Sequence, residues 1–509
     1  MARRKGRLLP LKEKYIGVII YRIYTENGRK IGMERLYEKL KEYSQKENYP
    51  FHMPGHKRNP ESMNMENCGE FIDITEIHGF DNLHHSEGIL RAAQERAARL
   101  FHVRETFYSI NGSTGALLAA VSAAVKPGGR ILIARNCHKA VYHAAAIRRL
   151  KVSYIYPQVE KTFGINGGIL PEDVDKILDQ QPEIEAVVIT SPTYDGMVSH
   201  VKKIAEIVHT HKKVLIVDEA HGAHFSFSDQ FPDSAVLSGA DLVIQSLHKT
   251  LPSFTQTAVL HRNSERVNRE KLQKFMEIYQ SSSPSYLLMA SMDSCICDLM
   301  EHGKEKFAAY VRLIQETRKK LSGLKRLHLI TKTDVVNKAA VADMDISKFV
   351  ISVKGVSITG KELSRLLREN YHLEMEMEAE NYVLALSSVG DRKEGMDRLV
   401  HALLEIDSRL ERKEKEYFYE FRRENSLMEI GEAMESPSER IPLLESQGKI
   451  SGEFVYLYPP GIPLLVPGEK ISLQFLRDMR RYKKLGFQLE GLSDFKNETI
   501  RVVKEGLET

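Results

Sequence analysis

Short, wholly apolar runs recur along the first half of the chain and constrain its fold more than any other feature. Ile131-Leu132-Ile133-Ala134, Ala186-Val187-Val188-Ile189, Val214-Leu215-Ile216-Val217, Leu242-Val243-Ile244 and Ala258-Val259-Leu260 lack the polar alternation of a half-exposed strand. Strands of that kind are covered on both faces, the condition of a parallel sheet between layers of helices. Residues 171–178 and 201–208 carry helical periodicity between them. The alternation predicts an α/β fold with a mostly parallel central sheet. Beyond residue 330 the runs shorten, as in Lys348-Phe349-Val350-Ile351-Ser352-Val353, with helices expected around 361–368 and 396–410. That change predicts a smaller α+β C-terminal domain. The expected boundaries are an extension over 1–33, a helix and loop-rich arm over 34–100, the large domain over 101–330 and the C-terminal domain over 331–509.

At 509 residues and 42% hydrophobic the chain can bury a large core in more than one domain. A net charge of +4 from 73 basic and 69 acidic residues gives no sign of a nucleic-acid surface. No apolar run reaches the length of a membrane span. The four cysteines, Cys68, Cys137, Cys295 and Cys297, are too scattered for a disulfide framework, and nothing has the spacing of a metal site. Reduced thiols and a cytoplasmic location are expected. The basic start of the chain followed by Ile16-Gly17-Val18-Ile19-Ile20 has too short an apolar core for a signal peptide. Residues 1–33 read as a disordered extension or an upstream misread start. Residues 413–423 read as a charge-dense helix.

Three segments carry chemistry. Asp218 ends the run Val214 to Val217, where ligands of open parallel sheets bind, and Glu219-Ala220-His221-Gly222-Ala223-His224 follows. By itself Asp218 reads equally as a helix N-cap. Lys249 lies just past the next apolar run, in Ser246-Leu247-His248-Lys249-Thr250. A lone lysine at a strand end is most often reaching for water. Paired with an acid at a neighbouring strand end, it reads as a desolvated amine that condenses with an aldehyde. The third segment, Asn111-Gly112-Ser113-Thr114-Gly115, turns from a strand into the helical run Ala116-Leu117-Leu118-Ala119-Ala120. Free N–H groups and hydroxyls at such a turn suit a phosphate, although many turns of this composition only cap a helix.

These segments, in this order, resemble the Orn/Lys/Arg decarboxylase family of pyridoxal-phosphate enzymes. The resemblance also rests on Pro50-Phe51-His52-Met53-Pro54-Gly55-His56-Lys57, Asp81-Asn82-Leu83-His84-His85 and Arg135-Asn136-Cys137-His138-Lys139. It continues through Ser191-Pro192-Thr193-Tyr194-Asp195-Gly196, Ser283-Pro284-Ser285-Tyr286, Tyr458-Pro459-Pro460-Gly461 and Pro467-Gly468-Glu469, spanning residues 34 to 470. It implies the type I fold of pyridoxal-phosphate enzymes, with the cofactor in the large domain. By similarity Lys249 would carry the cofactor and Asp218 would meet its ring nitrogen. His138 and Ala220 would cover the two ring faces, with His221 beside Asp218 and Thr193 near the ring hydroxyl. Ser113, Thr114, Gly115, Ser246 and His248 would line the phosphate site.

The implied reaction is decarboxylation of arginine, lysine or ornithine, feeding polyamine or diamine formation. The proton delivered at Cα would come from His248 or Lys249, and the residues do not choose between them. A basic substrate needs an acid at its distal end. In Leu373-Glu374-Met375-Glu376-Met377-Glu378 strand alternation puts three glutamates on one face, and aligning this segment with the family on Ser388-Val389-Gly390 implies Glu376. A solvated acidic edge accounts for the same pattern. No receiver-like domain fits before His52, so a homodimer with shared active sites is expected, the 34–100 arm lying near its interface. The rival readings are an aminotransferase or lyase of the same fold, and a non-catalytic binding protein.

Overall fold

The computed structural model describes residues 34–46, 53–54, 56–59, 68–413, 424–457, 461–487, 489–494, 496 and 498–504. The expectations for residues 1–33, for Tyr458-Pro459-Pro460 and for the charged helix beyond Lys413 fall outside them.

The apolar runs form one seven-stranded sheet. Its strands are β1 (Glu105–Ser109), β2 (Arg130–Ala134), β3 (Lys151–Ile155), β4 (Ile184–Thr190), β5 (Val214–Asp218), β6 (Leu242–Ser246) and β7 (Ala258–Arg262). The spatial order is β1-β7-β6-β5-β4-β2-β3. Strands β3, β2, β4, β5 and β6 are mutually parallel, whereas β7 runs antiparallel to both β6 and β1. Two reversals restore direction, so β1 points the same way as the parallel set. The C-terminal ends of β1, β2, β3, β4, β5 and β6 therefore share one edge of the sheet.

Every residue of β5, β6 and β7 is buried. Helices Gly112–Ala124, Lys139–Ile147, Pro171–Gln180 and Val201–Thr210 supply the cover, and their apolar faces join the strands in one core. Gly112–Ala124 is rich in alanine and nearly buried all round, which lets it lie close against the sheet. A second core gathers Leu36–Ser44, Ile89–Leu100 and the long helix Tyr286–Leu321. It is tied internally by the buried Arg96–Asp293 ion pair, 2.6 Å. Asp293 also accepts the Leu36 N–H, 3.0 Å. That bond gives the first helix an anchor on the long one.

The second sheet comprises β8 (His328–Leu329), β9 (Lys348–Ser352), β10 (Met377–Glu378) and β11 (Tyr382–Leu386), in the order β8-β9-β11-β10. Helices Gly360–Tyr371 and Lys393–Arg409 complete this layer. Residues 331–509, expected as one α+β domain, contain the other three strands of this sheet, β9 to β11, and a C-terminal module. The module contains the strand pairs Ser438–Pro442 with Thr499–Val503 and Val455–Leu457 with Ile462–Leu465, beside helix Leu473–Lys484. It has a small apolar core of its own. Two buried charges fasten it to the sheet edge: Arg135, after β2, pairs with Glu469 at 3.1 Å and donates to the Pro463 carbonyl at 2.6 Å. Among the described residues no helix is long and apolar enough to cross a membrane.

The predicted glutamate strand is shorter than the alternation suggested. Only Met377–Glu378 pairs with a neighbour, so Glu374 and Glu376 precede the ladder. Glu374 turns toward Arg368, 3.9 Å, while Glu376 accepts from the Tyr194 hydroxyl.

Candidate active site

Because six strand ends share one edge, the loops that follow them lie on one side of the sheet. Asp218 is the last residue of β5 and lies in register with Ile244 of β6. Its carboxylate is buried and takes one backbone bond, from the Ala220 N–H at 3.1 Å. Burial pushes its pKa up, and the Lys249 charge opposes that shift. Strand β6 runs directly into the single turn Leu247–Thr250, which carries Lys249 on its inner side. Burial lowers the lysine's pKa, countered by Asp218 and Glu376. A lysine amine and an acid thus lie within electrostatic reach of each other across neighbouring strands, and burial shifts the lysine toward its neutral form.

His221, four residues beyond Val217, is buried and bridges two lysines. Its Nε2 lies 3.1 Å from Lys249 Nζ, and its Nδ1 lies 2.9 Å from Lys348 Nζ. The Tyr194 ring packs on it with centroids 4.6 Å apart. Burial and the two lysines drive the His221 pKa well down. Lys348 opens β9 and is fully buried. Sequence reasoning took it as the start of a strand and missed it. The available signal was a lysine heading an otherwise apolar run. His224, the second histidine of the motif, pairs with Asp345 at 3.2 Å. His221 therefore reaches the first residue of β9, and His224 the turn that leads into it. Gly196 makes room for this contact: at φ +93° it passes Lys348 so closely that a Cβ would lie 2.7 Å from Lys348 Cγ.

The expected phosphate cradle lies where β1 turns into Gly112–Ala124. Ser113 Oγ lies 2.7 Å from Ser246 Oγ, joining that helix start to the end of β6. N–H groups in a first helical turn lack intrahelical acceptors. The Gly115 N–H is already used, donating to the Asn111 carbonyl at 3.1 Å. A Cβ on Gly115 would lie 2.9 Å from Asn111 Cβ, so packing accounts for this glycine. Gly112, Ser113 and Thr114 are left to offer N–H groups. Thr114 is exposed and Ser113 half-buried.

His248 donates through Nδ1 to the Thr257 carbonyl, 2.8 Å. A carbonyl only accepts, so the proton sits on Nδ1. His138 caps helix Lys139–Ile147, its Nδ1 accepting from the Ala140 N–H at 3.2 Å. Burial, with Lys249 and Lys139, lowers its pKa to about 3, which makes it a neutral ring. Thr193 lies buried in the loop after β4, with Oγ1 accepting from the Met197 N–H at 3.1 Å. That loop is held to β5 by the Ser191 N–H, which donates to the Asp218 carbonyl at 3.1 Å. Glu376 is exposed near Lys249 and Lys348, each of which feels its charge. The donor set suits a phosphorylated aldehyde with a basic ring nitrogen: amine, buried carboxylate, paired serines and a bare helix N-terminus.

Residues 34–358 match the model of the Orn/Lys/Arg decarboxylase major domain, and residues 425–494 match that of the C-terminal domain. An arginine decarboxylase of Bacillus subtilis is 33% identical over 92% of this chain and 98% of its own length. One from Halalkalibacterium halodurans is 33% identical over 89% and 94%. The crystal structure of a Francisella novicida lysine decarboxylase superposes with a TM-score of 0.79 at 19% identity, covering 92% of this chain and 81% of that one. The fold is that of type I pyridoxal-phosphate enzymes. The chain belongs to the Orn/Lys/Arg decarboxylase family.

Proposed function

We propose that this protein decarboxylates a basic amino acid, with arginine the expected substrate, using pyridoxal phosphate held at Lys249. The observation that carries the reading is the meeting of a desolvated lysine and a buried aspartate at adjacent strand ends. Lys249 would hold the aldehyde carbon and Asp218 the ring nitrogen. His138 and Ala220 would enclose the ring, with Thr193 near its hydroxyl. Ser113, Thr114, Ser246, His248 and the first-turn N–H groups would receive the phosphate. When bound, the cofactor supplies an aldehyde for the substrate amine and a protonated ring that accepts the electrons left as CO₂ departs.

The protein's own part is protonation and orientation. Asp218 would be anionic when a cationic ring nitrogen pairs with it. Lys249 would act as a neutral amine toward the aldehyde and, once free and protonated, as the ammonium that delivers a proton at the substrate Cα. Neutral His248 suits that second task poorly, because its one ring proton is committed to the Thr257 carbonyl. Glu376, steadied by Tyr194, would meet the distal cation at the mouth of the site. The similarity to arginine decarboxylases over nearly their whole length supports arginine.

We also propose a homodimer with shared sites in the cytoplasm, feeding polyamine or diamine formation. Residues 34–100 would serve as its interface arm. Phe254 is 54% exposed in the loop that follows Lys249, a position a partner subunit would cover. The test is release of labelled CO₂ from carboxyl-labelled arginine, lysine and ornithine. Amine and CO₂ in equal amounts support the proposal; a keto acid without CO₂ contradicts it.

A further inference from the structure

His221 is placed between two amines, and a neutral imidazole carries one N–H and one bare nitrogen. Each nitrogen lies within hydrogen-bond distance of a lysine Nζ. The bare nitrogen can accept from an ammonium. The N–H can only donate to an amine that has a lone pair. Both contacts are satisfied together only when one of the two lysines is neutral.

Two proton arrangements meet that condition. In the first, Lys348 is the ammonium donating to Nδ1, and Nε2–H donates to a neutral Lys249. In the second, Lys249 is the ammonium donating to Nε2, and Nδ1–H donates to a neutral Lys348. They interconvert when one proton crosses each hydrogen bond in the same direction, with the imidazole neutral before and after. The net change is one proton moved between Lys348 and Lys249.

We propose that Lys348 is a buried proton reservoir for Lys249, acting through His221 as a relay. Lys348 is a positioning residue here, since it acts on the nucleophile through the imidazole. It draws the proton off Lys249 when that amine must attack the aldehyde, and returns it when the released lysine must protonate Cα. The inference rests on the assignment of Lys249 as the reactive amine.

The surroundings suit a reservoir that can hold or release charge. Lys348 is faced by Asp345 from the preceding turn, by Asp195 from the loop after β4, and by Glu376 from the segment before β10. Lys249 is faced by Asp218 and Glu376, and His221 additionally by His224 and His248. Asp195 is in turn held by the Tyr382 hydroxyl, 2.6 Å. Asp345 is held by His224 and by the Ser347 hydroxyl, 2.8 Å. Burial outweighs these acids and brings Lys348 to about pH 8, within reach of a working enzyme. Full burial also removes water as a competing proton carrier at Lys348.

The test reads Lys249 itself in the cofactor-free protein. Reductive methylation with formaldehyde and cyanoborohydride is followed at the Lys249 peptide by mass spectrometry from pH 6 to 11. The midpoint of reactivity is compared among wild type, Lys348→Met and His221→Phe, each checked by circular dichroism and thermal melting. His221→Phe retains a flat ring against Tyr194 and leaves the Lys348 charge in place. The proposal expects a wild-type midpoint well below that of an ordinary lysine and an upward shift in either variant of roughly one pH unit or more, tenfold less labelling at pH 7. An unchanged midpoint in any folded variant overturns it, including one whose melting temperature has fallen. Should Lys348→Met not fold, His221→Phe decides alone. CO₂ release is measured separately, so failure of the relay and failure of the decarboxylase assignment are distinguishable.

Discussion

Glu469→Gln should loosen the C-terminal module far more than a change of one atom suggests. Arg135 and Glu469 are 4% and 0% exposed at the side chain, so neither charge has solvent to fall back on. Glu469 Oε2 accepts from Arg135 at 3.1 Å and from the Val466 N–H at 2.8 Å. Its Oε1 is buried with no hydrogen-bond partner among the described residues. A pair satisfied on one side only gains little net stability, yet removing one member strands the other. A stranded buried charge costs about 3–5 kcal/mol. That corresponds to roughly 150- to 4,000-fold faster amide exchange wherever opening of the module governs exchange. Hydrogen–deuterium exchange should show the increase over Val455–Leu457 and Ile462–Leu465, while β4 and β5 keep their protection. Arg135→Met combined with Glu469→Leu should recover most of the loss, since apolar replacements leave no charge unpaired. Unchanged exchange in Glu469→Gln, or a double variant less protected than either single one, would refute this reasoning.

Three further outcomes follow from the same geometry. Asp218→Asn should leave the fold and cofactor content intact but lower turnover by roughly 10²-fold or more, because a neutral ring nitrogen is a weak electron sink; normal turnover at full cofactor occupancy would reject the assignment. Glu376→Gln should raise KM for the basic substrate about tenfold with little change in kcat, the modest size reflecting an exposed carboxylate; steady-state kinetics across the three amino acids checks it. His261 is fully buried, with its pKa lowered from 6.5 to about 3. Between those values the unfolded chain binds a proton that the folded chain does not, so stability is lost as pH falls below about 6.5. His261→Gln should therefore shift the acid-unfolding midpoint downward, read by circular dichroism, and a midpoint moved upward would count against the argument.

Much of this was legible in the chain because the signals were local. An apolar run with no polar alternation specifies burial on both faces, and β4 to β7 follow from that alone. Asp218 and Lys249 were readable because each directly follows such a run, and parallel strands bring their C-terminal ends together. Lys348 was not legible. It acts 127 residues from His221, and its role exists only where the second sheet meets the first. The glutamate alternation misled for a related reason: β10 pairs over two residues only, and what decides Glu376 is the Tyr194 hydroxyl from another layer. Arg135 and Glu469 were visible as parts of separate motifs, but their union across 334 residues was not.

The most direct test of the whole account is chemical trapping at one nitrogen. Pyridoxal phosphate is added to the purified protein, borohydride reduction follows, and peptides are mapped by mass spectrometry. The account predicts the cofactor's mass on Lys249, with the fixed label and CO₂ release both lost in Lys249→Ala while the fold is retained. Label on another lysine, or undiminished CO₂ release from the alanine variant, would contradict it.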